Sequence, residues 1–139
     1  MTLEQLKSKW EDYDAATNRL SAALSKNPSD DDMYLDATIQ RFEFTFELAW
    51  KFIKAILEYE GIEANSPRAS IREGFKANIV ENPAKWLDML EKRNLSNHPY
   101  DEETAEEIYK AIKKEYFALL AALRDKEKVE LWEKEDIHA

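Results

Sequence analysis

The residues of this chain that could do chemistry are crowded into one stretch, Arg93-Asn94-Leu95-Ser96-Asn97-His98-Pro99-Tyr100. It supplies a guanidinium, two amides, a hydroxyl, an imidazole and a phenol, and its only strongly apolar member is Leu95. An imidazole takes or gives a proton near neutral pH. A guanidinium grips a phosphate as a bidentate fork and stabilises developing negative charge. Together, Arg93 and His98 meet the minimum for metal-free RNA cleavage: the base takes the proton of a 2′-hydroxyl and the cation stabilises the pentavalent phosphorus. Asn94, Ser96 and Asn97 would be polar supports. Such cleavage benefits from an acid as well as a base, and one histidine is one proton carrier. A two-fold dimer that pairs two copies of the stretch would supply both. The same residue types also occur at plain helix junctions. His138, the other histidine, has no comparable surroundings. Residue types alone leave both readings open. No metal or other cofactor is implied: the chain has no cysteine, no H-E-x-x-H and no second histidine at helical spacing.

The flanking sequence predicts the helices that must hold this stretch. Thr2-Leu3-Glu4-Gln5 fits a capping box. Leu3, Leu6, Trp10, Tyr13, Thr17, Leu20 and Leu24 follow at steps of three and four, one face of a helix that Asn27-Pro28 stops. A second helix is predicted from about Met33 to Tyr59, with Gly61 just past its end. Ile39, Phe42, Phe46, Trp50, Ile53 and Leu57 form its stripe, and Phe44, Leu48 and Ile56 widen it. So broad an apolar surface implies more than one neighbour, within the chain or in a second subunit. Ser66-Pro67 and Asn82-Pro83 each read as a cap followed by proline at the first helical position. The short helix after Ser66 turns Ile71 and Phe75 inward. Arg68, Arg72 and Lys76 recur on one side, as a solvated face or as a local positive field. The helix after Asn82 buries Trp86, Met89 and Leu90 and delivers Arg93 near its end. Asp101 caps the last long helix, whose inner stripe is Ala105, Ile108, Ile112, Tyr116, Leu119 and Leu123.

Few glycines and prolines, two and four in 139 residues, argue against an all-β chain. The expected fold is all-α: an antiparallel up-and-down bundle of four to five helices in one domain. Its bounds are 1–125, followed by a charged C-terminal tail over 126–139, in which Val129, Leu131 and Trp132 either dock or fray. The net charge of −9 disfavours broad nucleic-acid binding. The charge is uneven, however. Residues 66–98 carry six Lys and Arg against four Asp and Glu, and this basic segment leads into the polar stretch. There is no secretory leader pattern at Met1-Thr2-Leu3-Glu4-Gln5 and no apolar run long enough for a membrane, so a cytoplasmic protein is expected.

Arg93-(four residues)-His98-Pro99-Tyr100 matches the R-x4-H-x-Y pattern of the HEPN superfamily. Gln40 to Lys51, Ser66-Pro67-Arg68 and Trp86 to Asn94 also resemble its branch of nucleotidyltransferase substrate-binding proteins, which includes HepT-type toxins. The resemblance covers roughly residues 3–125. It implies a bundle that forms a homodimer across the motif, with a small MNT-type nucleotidyltransferase as partner. It implies catalytic roles for Arg93 and His98, in a metal-independent ribonuclease of a toxin–antitoxin pair. Asn94 becomes a polar support, and Tyr100 the residue to which the partner attaches AMP. A second function fits the same residues: a non-catalytic subunit that binds substrate or nucleotide for the nucleotidyltransferase.

Overall fold

The computed structural model describes residues 1–96 and 101–138, without the side chains of Ser96 and of 134–138. The helices are α1 (Leu3–Leu24), α2 (Met33–Tyr59), α3 (Pro67–Lys76), α4 (Pro83–Ser96), α5 (Glu102–Ala111) and α6 (Phe117–His138). A π-helical turn, Ile112–Tyr116, joins α5 to α6 in one continuous rod. Among the described residues there is no strand. Among the described residues, three long rods and two short helices make up the bundle.

Local chemistry sets the helix ends. The Thr2 hydroxyl accepts from the Gln5 backbone while the Gln5 side chain accepts from the Thr2 backbone, completing the capping box. Ser66 caps α3 through the Ala69 N–H, with Pro67 at the first position. At the end of α2, Gly61 has φ +81°. Its N–H reaches the Glu58 carbonyl, and the Ile62 N–H reaches the Leu57 carbonyl at 2.8 Å. This is the Schellman pattern, which needs a left-handed residue at that position.

Packing runs around α2. Arg41 meets Arg19, Thr45 meets Ala16 and Phe52 meets Tyr13, so α1 and α2 run antiparallel. Phe42 stacks on Tyr116 with ring centres 5.7 Å apart, and Phe46 lies against Trp86 at 6.3 Å. Phe42, Phe46, Phe52, Ile53, Ile56 and Leu57 are all buried, at about 1.5–3 kcal/mol for each such side chain. The breadth of α2 is thus used within the chain, where α1, α3, α4 and α5 all pack on it. Only Phe44 of its apolar stripe is left well exposed, at 58%.

Two inner positions differ from the sequence pattern. Phe75 is 52% exposed, and Gly74 takes the inner place instead. A Cβ at Gly74 would lie 2.8 Å from Val80 Cγ2 and 2.9 Å from Ile53 Cγ2, so α3 approaches α2 too closely for any side chain there. In the last rod Leu120, rather than Leu119, is fully buried. Tyr116 and Leu123 keep their inner places, so between them the stripe steps by four and then three instead of three and then four. After Asp125 the rod continues, and Leu131 is 1% exposed. The stretch expected as a charged tail thus includes a core residue. No helix among the described residues is long and apolar enough to cross a membrane.

Candidate functional site

Arg93 lies in the last turn of α4. Two sets of contacts fix that helix. Trp86, Met89 and Leu90 anchor it in the core. On the side of the π turn, the Tyr116 hydroxyl donates to the Asp88 carboxylate, and Lys85 pairs with Glu115 at 3.0 Å. Burial pushes the Tyr116 phenol well above its ordinary value, and the bond to Asp88 acts in the same direction. The phenol therefore stays a donor across the physiological range.

From this anchored helix the Arg93 guanidinium reaches across to α2. One nitrogen donates to the Glu47 carboxylate, and the other donates to the Asn94 side-chain oxygen at 3.3 Å. The second Glu47 oxygen accepts the indole N–H of Trp50. Glu47 is thus held from its own helix while it holds Arg93. The two side chains are 25% and 30% exposed, so water screens the pair and its share of stability is at most about 1 kcal/mol. What the pair supplies is orientation: a guanidinium is a planar fork, and clamping one edge sets where the rest faces.

That fork sits on the wall of an open cleft of about 610 Å³ between α1, α2 and α4. Gln40, Arg41, Phe44 and Glu47 come from α2, and Arg19 comes from α1. The Arg41 guanidinium donates to the Arg19 backbone carbonyl at 2.8 Å, which pins this cation against the backbone of α1. Three arginines face two glutamates, Glu43 and Glu47, in this cleft. It is locally cationic in a chain of net charge −9.

The structure brings together Arg93 and Asn94 of the residues singled out in the sequence. Ser96 ends α4, and its side chain is outside the described part. Asn97, His98 and Tyr100 lie outside the described residues. Arg68 lines a different cleft, between α3 and α4, together with Arg72 and Lys76. Glu47, Arg19 and Arg41 were not singled out. A charged residue inside the aromatic run of α2, three before Trp50, was the available signal for Glu47. The basic segment 66–98 gave no hint of Arg19 or Arg41, because the cleft draws its cations from three separate helices.

Fold and site define a small helical bundle that presents an oriented arginine at the edge of a cationic cleft. A family model described as "Nucleotidyltransferase substrate binding protein like" matches residues 8–129, and the chain belongs to that family. With it comes the HepT-like branch of the HEPN superfamily that the motif resembles. Over 86 residues the chain is 30% identical to a Haemophilus influenzae protein named "Probable ribonuclease HepT". The aligned stretch covers 58% of this chain and 59% of that relative, about three fifths of its length. A crystal structure of a Thermus thermophilus protein has a TM-score of 0.71 and 30% identity, over 86% of this chain and 98% of that one.

Proposed function

We propose that this protein is the toxin of a HEPN/MNT pair: a metal-independent ribonuclease that acts through Arg93 and His98 and is silenced by a partner nucleotidyltransferase. The observation that carries the reading is the clamped Arg93 at the edge of an open cationic cleft, in a chain similar to a probable ribonuclease. His98 takes the proton of the 2′-hydroxyl, the 2′-oxygen attacks phosphorus, and the bond to the 5′-oxygen breaks as that oxygen gains a proton. Arg93 neutralises the extra charge on the phosphorane. A second copy of the chain, related by a two-fold axis near residues 93–100, supplies the second proton carrier. The partner attaches AMP to Tyr100, which places a bulky anion where it competes with RNA for Arg93.

A second reading follows from the family description itself, in which the chain binds substrate or nucleotide for the nucleotidyltransferase and does no chemistry. One experiment separates the two. Purified protein is incubated with total RNA in EDTA, beside Arg93→Ala and His98→Ala, with light scattering to give the mass of each. Cleavage by the parent and a loss of about a hundredfold or more in both variants is the expected result, since general acid–base catalysis alone contributes roughly 10²–10⁴. Intact RNA in every lane, from a well-folded parent, leaves the binding-subunit reading in place.

A further inference from the structure

We infer that the cleft between α1 and α2 is a subsite for a single-stranded RNA nucleotide next to the scissile bond. In this subsite Phe44 stacks the base, and Arg19 and Arg41 hold the adjoining phosphate. The inference rests on the ribonuclease reading above and specifies how substrate approaches Arg93.

The placement of residues along α2 is the first argument. Ala37, Gln40, Arg41, Phe44 and Glu47 all line the cleft and recur at steps of three, one, three and three. They form one continuous stripe of a helix. From Ala37 to Glu47 the stripe rises about 15 Å at 1.5 Å per residue, long enough for more than one nucleotide. Arg93, the proposed catalytic cation, sits at the Glu47 end. A strand lying in the groove therefore passes Phe44 and the arginine pair one to two helical turns from the reacting phosphate.

The chemistry of the stripe is the second argument. Phe44 exposes 58% of its surface in a chain whose other α2 phenylalanines are buried. Every base has a π face, so an accessible aromatic ring is a sequence-tolerant platform for single strands. Arg41 is already immobilised by the Arg19 carbonyl at 2.8 Å, so less side-chain freedom is lost when a phosphate arrives. Among the described residues no carboxylate forms an ion pair with Arg19 or Arg41. Gln40, one turn before Phe44, offers an amide that can both donate and accept at a base edge. A protein interface is the competing occupant, and the lining disfavours it. Glutamate is depleted at interface cores, whereas here Glu43 and Glu47 both line the cleft beside the ring.

The test measures binding without cleavage. A short fluorescein-labelled RNA, 2′-O-methylated throughout so that it cannot be cut, is titrated with the full chain and followed by anisotropy. Phe44→Ala should weaken binding about tenfold, as removal of a stacking platform does, and Phe44→Trp should restore it. The double variant Arg19→Ala/Arg41→Ala should flatten the salt dependence of log Kd by about 0.7 for each phosphate that is no longer neutralised. Circular dichroism checks the fold of each variant. Unchanged affinity in both variants overturns the subsite, as does a parent that fails to bind this RNA. Unchanged affinity with an altered mass by light scattering overturns it in favour of a protein interface. The two readings fail separately. Tight binding that depends on Phe44, with no cleavage of the unmethylated RNA, sinks the nuclease and keeps the subsite. Cleavage whose KM ignores Phe44, Arg19 and Arg41 keeps the nuclease and sinks the subsite.

Discussion

The end of α6 and the end of α4 are both charged stretches that finish a helix, and they are held in opposite ways. The end of α6 is locked by aromatic contact. The Trp10 indole N–H donates to the Arg124 carbonyl at 2.8 Å, and its ring meets Trp132 edge-on at 5.3 Å. Lys7 lies over Trp132 and Lys128 over Trp10, at 5.0 and 5.5 Å. Leu131 is buried beneath them. At the end of α4, among the described residues, Leu95 is 50% exposed, and the contacts of Arg93 to Glu47 and Asn94 are polar and partly wet. An apolar lock contributes mainly to stability, whereas a screened ion pair contributes mainly to direction. The difference separates the part of the chain that keeps it folded from the part that the proposed chemistry uses.

The largest expected effect comes from breaking the lock. Trp10→Ala should destabilise the fold by about 3–5 kcal/mol, the usual range for truncating a buried tryptophan. Trp10 is 6% exposed, and its loss removes the partner of Trp132 together with the hydrogen bond to Arg124. Urea unfolding followed by circular dichroism reads the change. A loss under about 0.5 kcal/mol, the range of ordinary surface substitutions, would mean that the end of α6 is dispensable.

A smaller effect is expected where the chain resumes after residues 97–100. The Asp101 carboxylate caps α5 by accepting the Thr104 N–H at 2.8 Å. That bond favours the charged form and holds the carboxyl below its ordinary value of 3.8. A group lowered in this way stabilises the folded state above its unfolded value, and the contribution is lost as pH falls through the folded value. Asp101→Ala should therefore lower the urea midpoint by a constant amount from pH 5 to 7. The gap to the parent should close as the pH drops well below 3.8. Asp101→Asn keeps an acceptor and should recover much of the gap at neutral pH. A gap that does not change with pH would show that the charge of the cap plays no part.

Helix ends were legible in the sequence because their chemistry is local. Thr2 with Gln5, Ser66 with Pro67, and Gly61 each announce a boundary within a few residues. Inner positions were less legible where a distant element decides them. Gly74 faces inward because Val80 and Ile53 close on it, and between Tyr116 and Leu123 the apolar period admits either Leu119 or Leu120 as the inner residue. The site divides along the same line. Arg93 stood out by the company it keeps in sequence. Its clamp, Glu47, lies 46 positions away on another helix, and no spacing rule reaches that far. Arg19, Arg41 and Phe44 each look ordinary until α1 and α2 are laid side by side.

The smallest expected change in stability, and the sharpest probe of the comparison, is Glu47→Gln. The substitution keeps the size of the side chain and an oxygen that can accept from Arg93 or Trp50, but removes the charge. Both members of the pair reach water, so Arg93 can be solvated once the carboxylate is gone. The stability loss should stay within about 1 kcal/mol, the range measured for exposed and half-exposed pairs. The effect on the proposed cleavage should be far larger. Misplacing a group by about 1 Å can cost roughly a hundredfold in rate. An amide clamps one edge of a guanidinium less firmly than a carboxylate does. The fall should appear in kcat more than in KM, because the arginine acts on charge that develops in the transition state. Single-turnover cleavage at saturating RNA, read beside a urea melt of the same preparation, measures both. Equal losses of rate and stability would mean that Glu47 is one more structural contact and that the two helix ends do not differ in kind. A full rate with normal stability would mean that Arg93 needs no clamp, and that Glu47 serves Trp50 rather than Arg93.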